Sequence, residues 1–178
     1  MANPRWIAFF CALLWFTPAA WAQPYVCPDG RFSAALSRDT ARSLSTSESP
    51  LGPVATSVYL DRQPGRFLTV SFTDLPKLAL LAGRETLFEE ARDGMLQQCN
   101  GHLLTWTKDN RQTRRLTYRV AGEKNYRGET VFQLERYRLY VVDVRSELHL
   151  KPLADREFLG SFKILSPAAA AAPSVENR

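Results

Sequence analysis

The chain has 178 residues, with 23 Lys and Arg against 18 Asp and Glu, and a formal net charge of +5 at pH 7. This length suits one ordinary domain. Charges of both signs are interspersed, without the strongly basic patch that is typical of nucleic-acid-binding proteins, so we expect no nucleic-acid partner. The mild positive charge favours only weak attraction to acidic surfaces.

The first 22 residues have the organisation of a cleaved secretory signal. Arg5 precedes an apolar run over residues 6–15, and Ala20 and Ala22 supply the small residues of a cleavage site, so we expect cleavage after Ala22. A membrane anchor is the alternative, but the run is shorter than the ~20 apolar residues that span a bilayer. We therefore predict an exported periplasmic protein with no transmembrane span after cleavage.

Removal of the signal takes Cys11 away and leaves Cys27 and Cys99. An even cysteine pair in an oxidising compartment most often forms a disulfide. Closing the loop between residues 27 and 99 would stabilise the folded state by about 4 kcal/mol in the chain-entropy model. Two unpaired thiols are the alternative. The two histidines, His102 and His149, offer the cysteines no nearby metal-binding partners, and we expect neither a metal nor a cofactor.

The N-terminal half of the mature chain predicts three strands, over residues 31–36, 54–61 and 66–73, with a turn at 62–65. Residues 37–53 are rich in Ser, Thr and Pro, which predicts a long polar loop.

The clearest helix follows these strands. Its apolar residues recur every four positions, at Leu87, Ala91, Met95 and Cys99. Thr86 and Glu89 have capping-box spacing at the start, and Asn100-Gly101 is a suitable stop. Cys99 is therefore expected on the buried stripe at the helix end.

The C-terminal half predicts four further strands, over residues 102–107, 113–120, 129–134 and 137–145, with a hairpin at Glu135-Arg136. The last strand is apolar on both faces, which is typical of a central strand covered on both sides. A short helix is expected over residues 153–162. We predict one globular domain over residues 23–165, followed by a disordered Ala/Pro-rich tail over 166–178. The order of elements indicates an α+β protein with a mostly antiparallel sheet.

Five segments of the chain form a familiar pattern: Pro28-Asp29-Gly30-Arg31-Phe32-Ser33, Phe67-Leu68-Thr69-Val70-Ser71-Phe72-Thr73-Asp74-Leu75-Pro76, Ala91-Arg92-Asp93-Gly94, Arg138-Leu139-Tyr140-Val141-Val142 and Phe158-Leu159-Gly160-Ser161-Phe162-Lys163. They resemble small exported bacterial domains grouped with the PsbP-like fold, over most of residues 28–165. The resemblance implies an α/β/α sandwich with a central, mostly antiparallel sheet. It also implies a non-enzymatic accessory or binding role without naming a partner.

The most basic segment, residues 108–115, is the candidate binding surface. Its residues are Lys108, Arg111, Arg114 and Arg115, with Trp106 just before them. Arg and Trp are favoured at interfaces, so this loop is expected to dock on another cell-envelope protein or an anionic envelope surface. The alternative is a solvated hairpin turn with Trp106 packed into the core. We expect replacement of the three arginines by Ala to weaken binding without unfolding the domain.

The chain carries no motif of a hydrolase or a phosphate-binding loop. His149 lies near Glu147 at strand spacing, which leaves a hydrolase using His149 as an alternative, but a surface histidine is the simpler interpretation. Four tyrosines either line a ligand groove or cover the sheet: Tyr118, Tyr126, Tyr137 and Tyr140. We therefore predict a non-enzymatic periplasmic accessory or binding protein, with an immunity-type inhibitor of a periplasm-targeted toxin as a second alternative.

Overall fold

The computed structural model describes residues 24–49, 52–120, 122 and 125–167. The predicted signal peptide and most of the predicted tail lie outside these residues. The elements are β1 (Tyr25–Cys27), β2 (Phe32–Ala34), β3 (Ala41–Ser49), β4 (Gly52–Gln63), β5 (Arg66–Asp74), a 3₁₀-helix (Lys77–Ala82), α1 (Arg84–Cys99), β6 (Gly101–Lys108), β7 (Thr113–Val120), β8 (Tyr126–Glu135), β9 (Arg138–Glu147), α2 (Leu153–Ser161) and β10 (Lys163–Ile164). None of the helices in the described ranges is long and apolar enough to cross a membrane.

A seven-stranded antiparallel sheet in the order β3-β4-β5-β9-β8-β7-β6 forms the centre of the molecule. The middle strand is β9, as its two apolar faces predict. Leu139 packs against one side of the sheet, whereas Tyr140, Val142 and Val144 pack against the other. Because side chains alternate along a strand, a strand that is apolar on both faces needs a layer on each side.

The two layers lie on opposite faces of this sheet. On one face, called the α1 face, helix α1 packs through Phe88 against Leu116, Phe132 and Leu139. On the other, called the α2 face, α2 packs beside the small three-stranded sheet β1-β2-β10. The arrangement confirms an α+β sandwich of helix, antiparallel sheet and helix.

The layers are offset along the sheet. The core on the α2 face is built over β4, β5 and β9, whereas the core on the α1 face lies over β7, β8 and β9. As a result, the described residues of β6 and β7 add nothing to the apolar core of the α2 face, and β8 adds only Val131. This open half of the sheet is where a groove forms.

The described part of residues 37–53 does not form the predicted polar loop. It contains β3, which pairs with β4 from Ala41 opposite Leu60 to Ser49 opposite Gly52. The side chains of residues 41–46 are exposed, and such an edge strand needs no apolar alternation, because backbone hydrogen bonds to its neighbour hold it. The sequence pattern therefore carried no strand signal there.

Two boundaries also differ from prediction. Helix α1 begins at Arg84 after Gly83, and Thr86 makes no capping bond, so the predicted capping box is wrong. Its predicted end is confirmed, because Asn100 adopts the left-handed conformation with φ 50°. The β8–β9 hairpin turns at Arg136 and Tyr137, one residue later than expected, since Glu135 still pairs with Arg138.

The predicted disulfide is wrong: Cys27 and Cys99 are both free. Cys27 packs in the core of the α2 face, where its thiol donates to the Tyr59 hydroxyl at 3.1 Å. Cys99 packs on the α1 face, and its thiol points to the Leu96 carbonyl at 3.6 Å. Packed layers are about 10 Å apart, whereas a disulfide needs Cα atoms within about 7 Å, so a residue on each side of the sheet cannot reach the other.

Candidate binding groove on the open half of the sheet

The basic segment predicted as a binding surface is divided between the two faces of the sheet. Lys108 and Arg114 are directly opposite each other in the β6–β7 pair and lie on the α1 face. Arg115 follows Arg114 on the same strand, so it points to the α2 face. Arg111 lies at the exposed tip of the connecting loop. These residues therefore do not form one docking surface.

Arg114 is a structural residue. Only 1% of it is exposed, and its guanidinium lies over the Phe88 ring at 4.8 Å. Its Nε and Nη2 atoms donate to the Glu85 carboxylate, the former at 3.0 Å, while Nη1 donates to the Asn110 carbonyl at 2.6 Å. Lys108 reaches the same carboxylate at 2.9 Å. These hydrogen bonds from Arg114 and Lys108 lower the pKa of Glu85 and tie the start of α1 to the β6–β7 hairpin.

Trp106 belongs to the core of the α1 face. Its ring makes an edge contact with Phe132 at 5.5 Å, and the Arg92 guanidinium lies over it at 5.2 Å. The alternative interpretation of Trp106 as a packed residue is therefore the one that the structure shows.

A groove occupies the open half of the α2 face, between helix α2 and strands β6 and β7. We call it the α2 groove. It has two adjoining lobes of about 360 Å³ and 110 Å³ that share Glu129. The larger lobe is lined by Arg115, Glu129, Arg156, Leu159 and Gly160, and the smaller chiefly by Leu104, Thr117, Arg127, Val144 and Asp155.

Arginines dominate the charge around the α2 groove. Arg115 donates to Glu129 at 2.8 Å and to Asp109 at 3.3 Å. Arg119 lies opposite Arg127 in the β7–β8 pair, and therefore on the same face of the sheet. Arg119 and Arg156 are exposed, and neither side chain makes a hydrogen bond or ion pair with the residues that the structure describes.

One buried carboxylate holds the helical wall of the groove in place. Asp155, at the start of α2, accepts hydrogen bonds from Arg66 at 3.0 Å, Arg127 at 2.8 Å and the Ser146 hydroxyl at 2.7 Å. Arg127 also donates to the Leu150 carbonyl at 2.8 Å. Three strands are thus tied to one helical residue, which fixes the distance between α2 and the groove floor.

A second buried carboxylate lies inside the α1 face. Asp143 accepts hydrogen bonds from Tyr118 and Thr130, both at 2.7 Å, and from Arg145 at 3.1 Å. Burial raises the pKa of Asp143, and the three donors act against this shift. The pKa of Tyr118 is also raised, and burial is the largest cause. This network connects β7, β8 and β9. Asp143 itself lines none of the described cavities.

The histidines stand apart from the cavities. His149 has 71% of its side chain exposed and lies 3.4 Å from a Glu147 oxygen, and His102 is exposed on β6. The tyrosines mostly cover the sheet, since Tyr118 and Tyr140 are fully buried, while Tyr137 is exposed in the hairpin. Within the described ranges, no three His, Cys, Asp or Glu side chains are grouped so that they could hold a metal ion.

Sequence reasoning identified Arg115 but missed Arg156, Glu129 and Asp155. The only signal for Asp155 was an acid beside the apolar stripe of a short helix. Arg127 was visible as a basic residue, but only the pairing of β8 with β7 places it on the groove face.

The order of elements and the two offset layers define a protein of the PsbP-like fold class. Among solved structures, the chain is similar to the solution structure of cyanobacterial PsbP (CyanoP) from Synechocystis sp. PCC 6803. The TM-score is 0.51 and the identity 17%, over 85% of this chain and 98% of that one. This likeness confirms the predicted fold. No protein-family model matches the chain, and no curated protein matches it.

Proposed function

We propose that this protein is a non-enzymatic accessory protein of the bacterial periplasm, and that it binds an extended acidic segment of another envelope protein in the α2 groove. The observation that carries the proposal is a pair of exposed arginines with no acidic partner among the described residues. Arg156 lines the larger lobe of the groove, and Arg119 lies on the same face of the sheet, opposite the groove-lining Arg127. Arginine is the residue that interfaces favour for binding carboxylates, because its planar fork makes two parallel hydrogen bonds.

The dimensions of the groove suit a short piece of extended chain. From Asp155 to Gly160 the wall of α2 is about 8 Å long, at 1.5 Å per residue. An extended peptide rises about 3.3 Å per residue, so two or three residues fit along this wall. Leu104 on β6 lines the smaller lobe and is 54% exposed, so it offers an apolar contact beside the charges.

The location follows from the predicted signal, and the class of partner from the shape of the groove. An exported protein meets envelope components, and a concave surface favours a protein segment over a flat anionic membrane. The non-enzymatic role is supported by the position of the histidines, since neither lines a described cavity beside a nucleophile.

Hexaglutamate with a fluorescent label is a direct probe of this proposal. We expect it to bind the mature chain and to lose binding in the Arg119→Glu/Arg156→Glu variant. The matched control is Arg62→Glu/Lys77→Glu, which makes the same change in net charge at exposed residues outside the groove. Fluorescence anisotropy measures the affinity of each variant for the labelled peptide. Equal losses in the two variants would show that net charge alone attracts the peptide, which contradicts the proposal.

A further inference from the structure

A second cleft lies at the end of the sheet where the β8–β9 hairpin turns. Its volume is about 310 Å³, and its lining includes Arg31, Gln133, Glu135, Arg136, Ile164 and Leu165. It is separate from the α2 groove and shares no lining residue with it. A ligand of this cleft would therefore contact none of the residues that line the α2 groove.

Both arginines of this cleft have an unfavourable backbone conformation. Arg31 has φ 52° and Arg136 has φ 54°, in the left-handed region that residues with a Cβ rarely adopt. Elsewhere in the described chain Gly65 and Gly83 meet the same demand without strain, and Asn100 meets it at the end of α1. Non-glycine residues in such conformations collect at binding and active sites, where the side chain is needed despite its cost.

Neither guanidinium is neutralised by the residues that the structure describes. Arg31 and Arg136 make no side-chain hydrogen bond or ion pair with the described residues, whereas the neighbouring Arg138 donates to both oxygens of Asp74, at 2.6 Å and 2.7 Å. The backbone at Arg31 is held firmly, because its carbonyl accepts a hydrogen bond from the Leu165 N–H at 2.8 Å. Two cations therefore line one cleft and are available to an anion.

The remaining lining completes a site for more than a simple anion. Gln133 provides an amide and Glu135 a carboxylate, both able to accept hydrogen bonds from N–H groups. Ile164 of β10 and the following Leu165 form an apolar wall. An inorganic anion would use only the arginines and would make no use of the amide, the carboxylate or the apolar wall.

We infer that this cleft binds the C-terminal end of a peptide. Arg31 and Arg136 would bind the terminal carboxylate, Gln133 and Glu135 would accept hydrogen bonds from the peptide N–H groups, and the last side chain would pack against Ile164. The volume lies at the lower end of the range for small-ligand sites, as expected for a site that holds only the end of a chain.

The test compares two forms of one peptide. An N-acetylated Ala-Ala-Leu tripeptide with a free carboxylate is titrated into the mature chain by calorimetry, beside the same tripeptide with a C-terminal amide. We expect the acid to bind at least about tenfold more tightly than the amide, because charge-assisted hydrogen bonds are lost with the carboxylate. Absent binding of the acid, or equal binding of the two forms, would overturn the inference.

Variants separate the cleft from the rest of the surface. Arg31→Gln/Arg136→Gln keeps polar side chains and removes both charges, and we expect it to lose the preference for the acid. Arg62→Gln/Lys77→Gln is the matched control and should keep it, with thermal unfolding showing that both variants fold. The inference is wrong if the Arg31→Gln/Arg136→Gln variant still prefers the acid. It is also wrong if inorganic phosphate binds as tightly as the tripeptide.

Discussion

Replacement of Asp155 by Ala removes the carboxylate that holds α2 on the sheet. Its side chain is only 4% exposed, while those of its partners Arg66 and Arg127 are 20% and 28% exposed. The change leaves two guanidiniums and the Ser146 hydroxyl without their acceptor in a site that water enters poorly. Such a loss is costly mainly because the surviving charges have no partner.

The loss in the free energy of unfolding can be estimated from these exposed fractions. Breaking a buried pair by removing one partner costs about 3–5 kcal/mol. Arg66 and Arg127 keep some access to water and two backbone carbonyls as acceptors, Lys151 and Leu150, so we expect the lower end, about 3 kcal/mol. Asp155→Asn keeps the shape and an acceptor for Ser146 but loses the charge, and should cost about 2 kcal/mol.

Equilibrium unfolding in urea, followed by circular dichroism, measures both losses as changes in the free energy of unfolding. Asp93→Ala is the control, because Asp93 also pairs with an arginine but is 64% exposed, and it should unfold as the wild type does. A loss below about 1 kcal/mol for Asp155→Ala would refute the reasoning that this carboxylate anchors α2.

Three further predictions follow from the site. Arg114→Ala should destabilise the fold by at least about 2 kcal/mol in the same urea assay, whereas Arg111→Ala at the loop tip should not; equal stabilities would contradict the burial of Arg114. Burial raises the pKa of Asp143, so its contribution to stability is present at low pH and is lost as pH rises through that pKa. The stability difference between wild type and Asp143→Asn should therefore shrink from pH 4 to pH 7, and a growing difference would show the opposite shift. Cys27 and Cys99 should both be alkylated after unfolding without reductant, as mass spectrometry would detect; an unmodified pair would indicate a disulfide.

The elements with a strong apolar period could be predicted from the sequence. Strand β9 has apolar residues on both faces, and burial on both sides is the only arrangement that satisfies them, so its central place was readable. The four-residue spacing from Leu87 to Cys99 likewise predicted α1 and its buried stripe. Strand β3 was missed because this edge strand, rich in Ser, has no such period.

The candidate site depended on features that no local pattern contains. Adjacent residues of a strand point to opposite faces, so Arg114 and Arg115 were separable in principle, but only tertiary packing shows which face was covered. The α2 groove exists because α1 and α2 are offset on the sheet, which follows from the pairing order of strands far apart in the chain. The disulfide prediction failed for the same reason, since the helix stripe placed Cys99 inside the protein without showing which face Cys27 occupies.

Site-specific photo-crosslinking in the periplasm tests the central claim, that the α2 groove binds an envelope protein. A photoreactive residue is placed at Thr105, which is exposed on β6 and hydrogen-bonded to the groove-lining Thr117. The control position is Gln98, which is exposed on α1. Gly160→Phe is then added to fill the larger lobe, and Gly94→Phe serves as its match, because a Cβ at either glycine meets nothing within 4 Å.

The account predicts one discrete crosslinked protein from Thr105 and none from Gln98, with the product lost in Gly160→Phe and kept in Gly94→Phe. The same product from both positions, or a Thr105 product that survives Gly160→Phe, would contradict it.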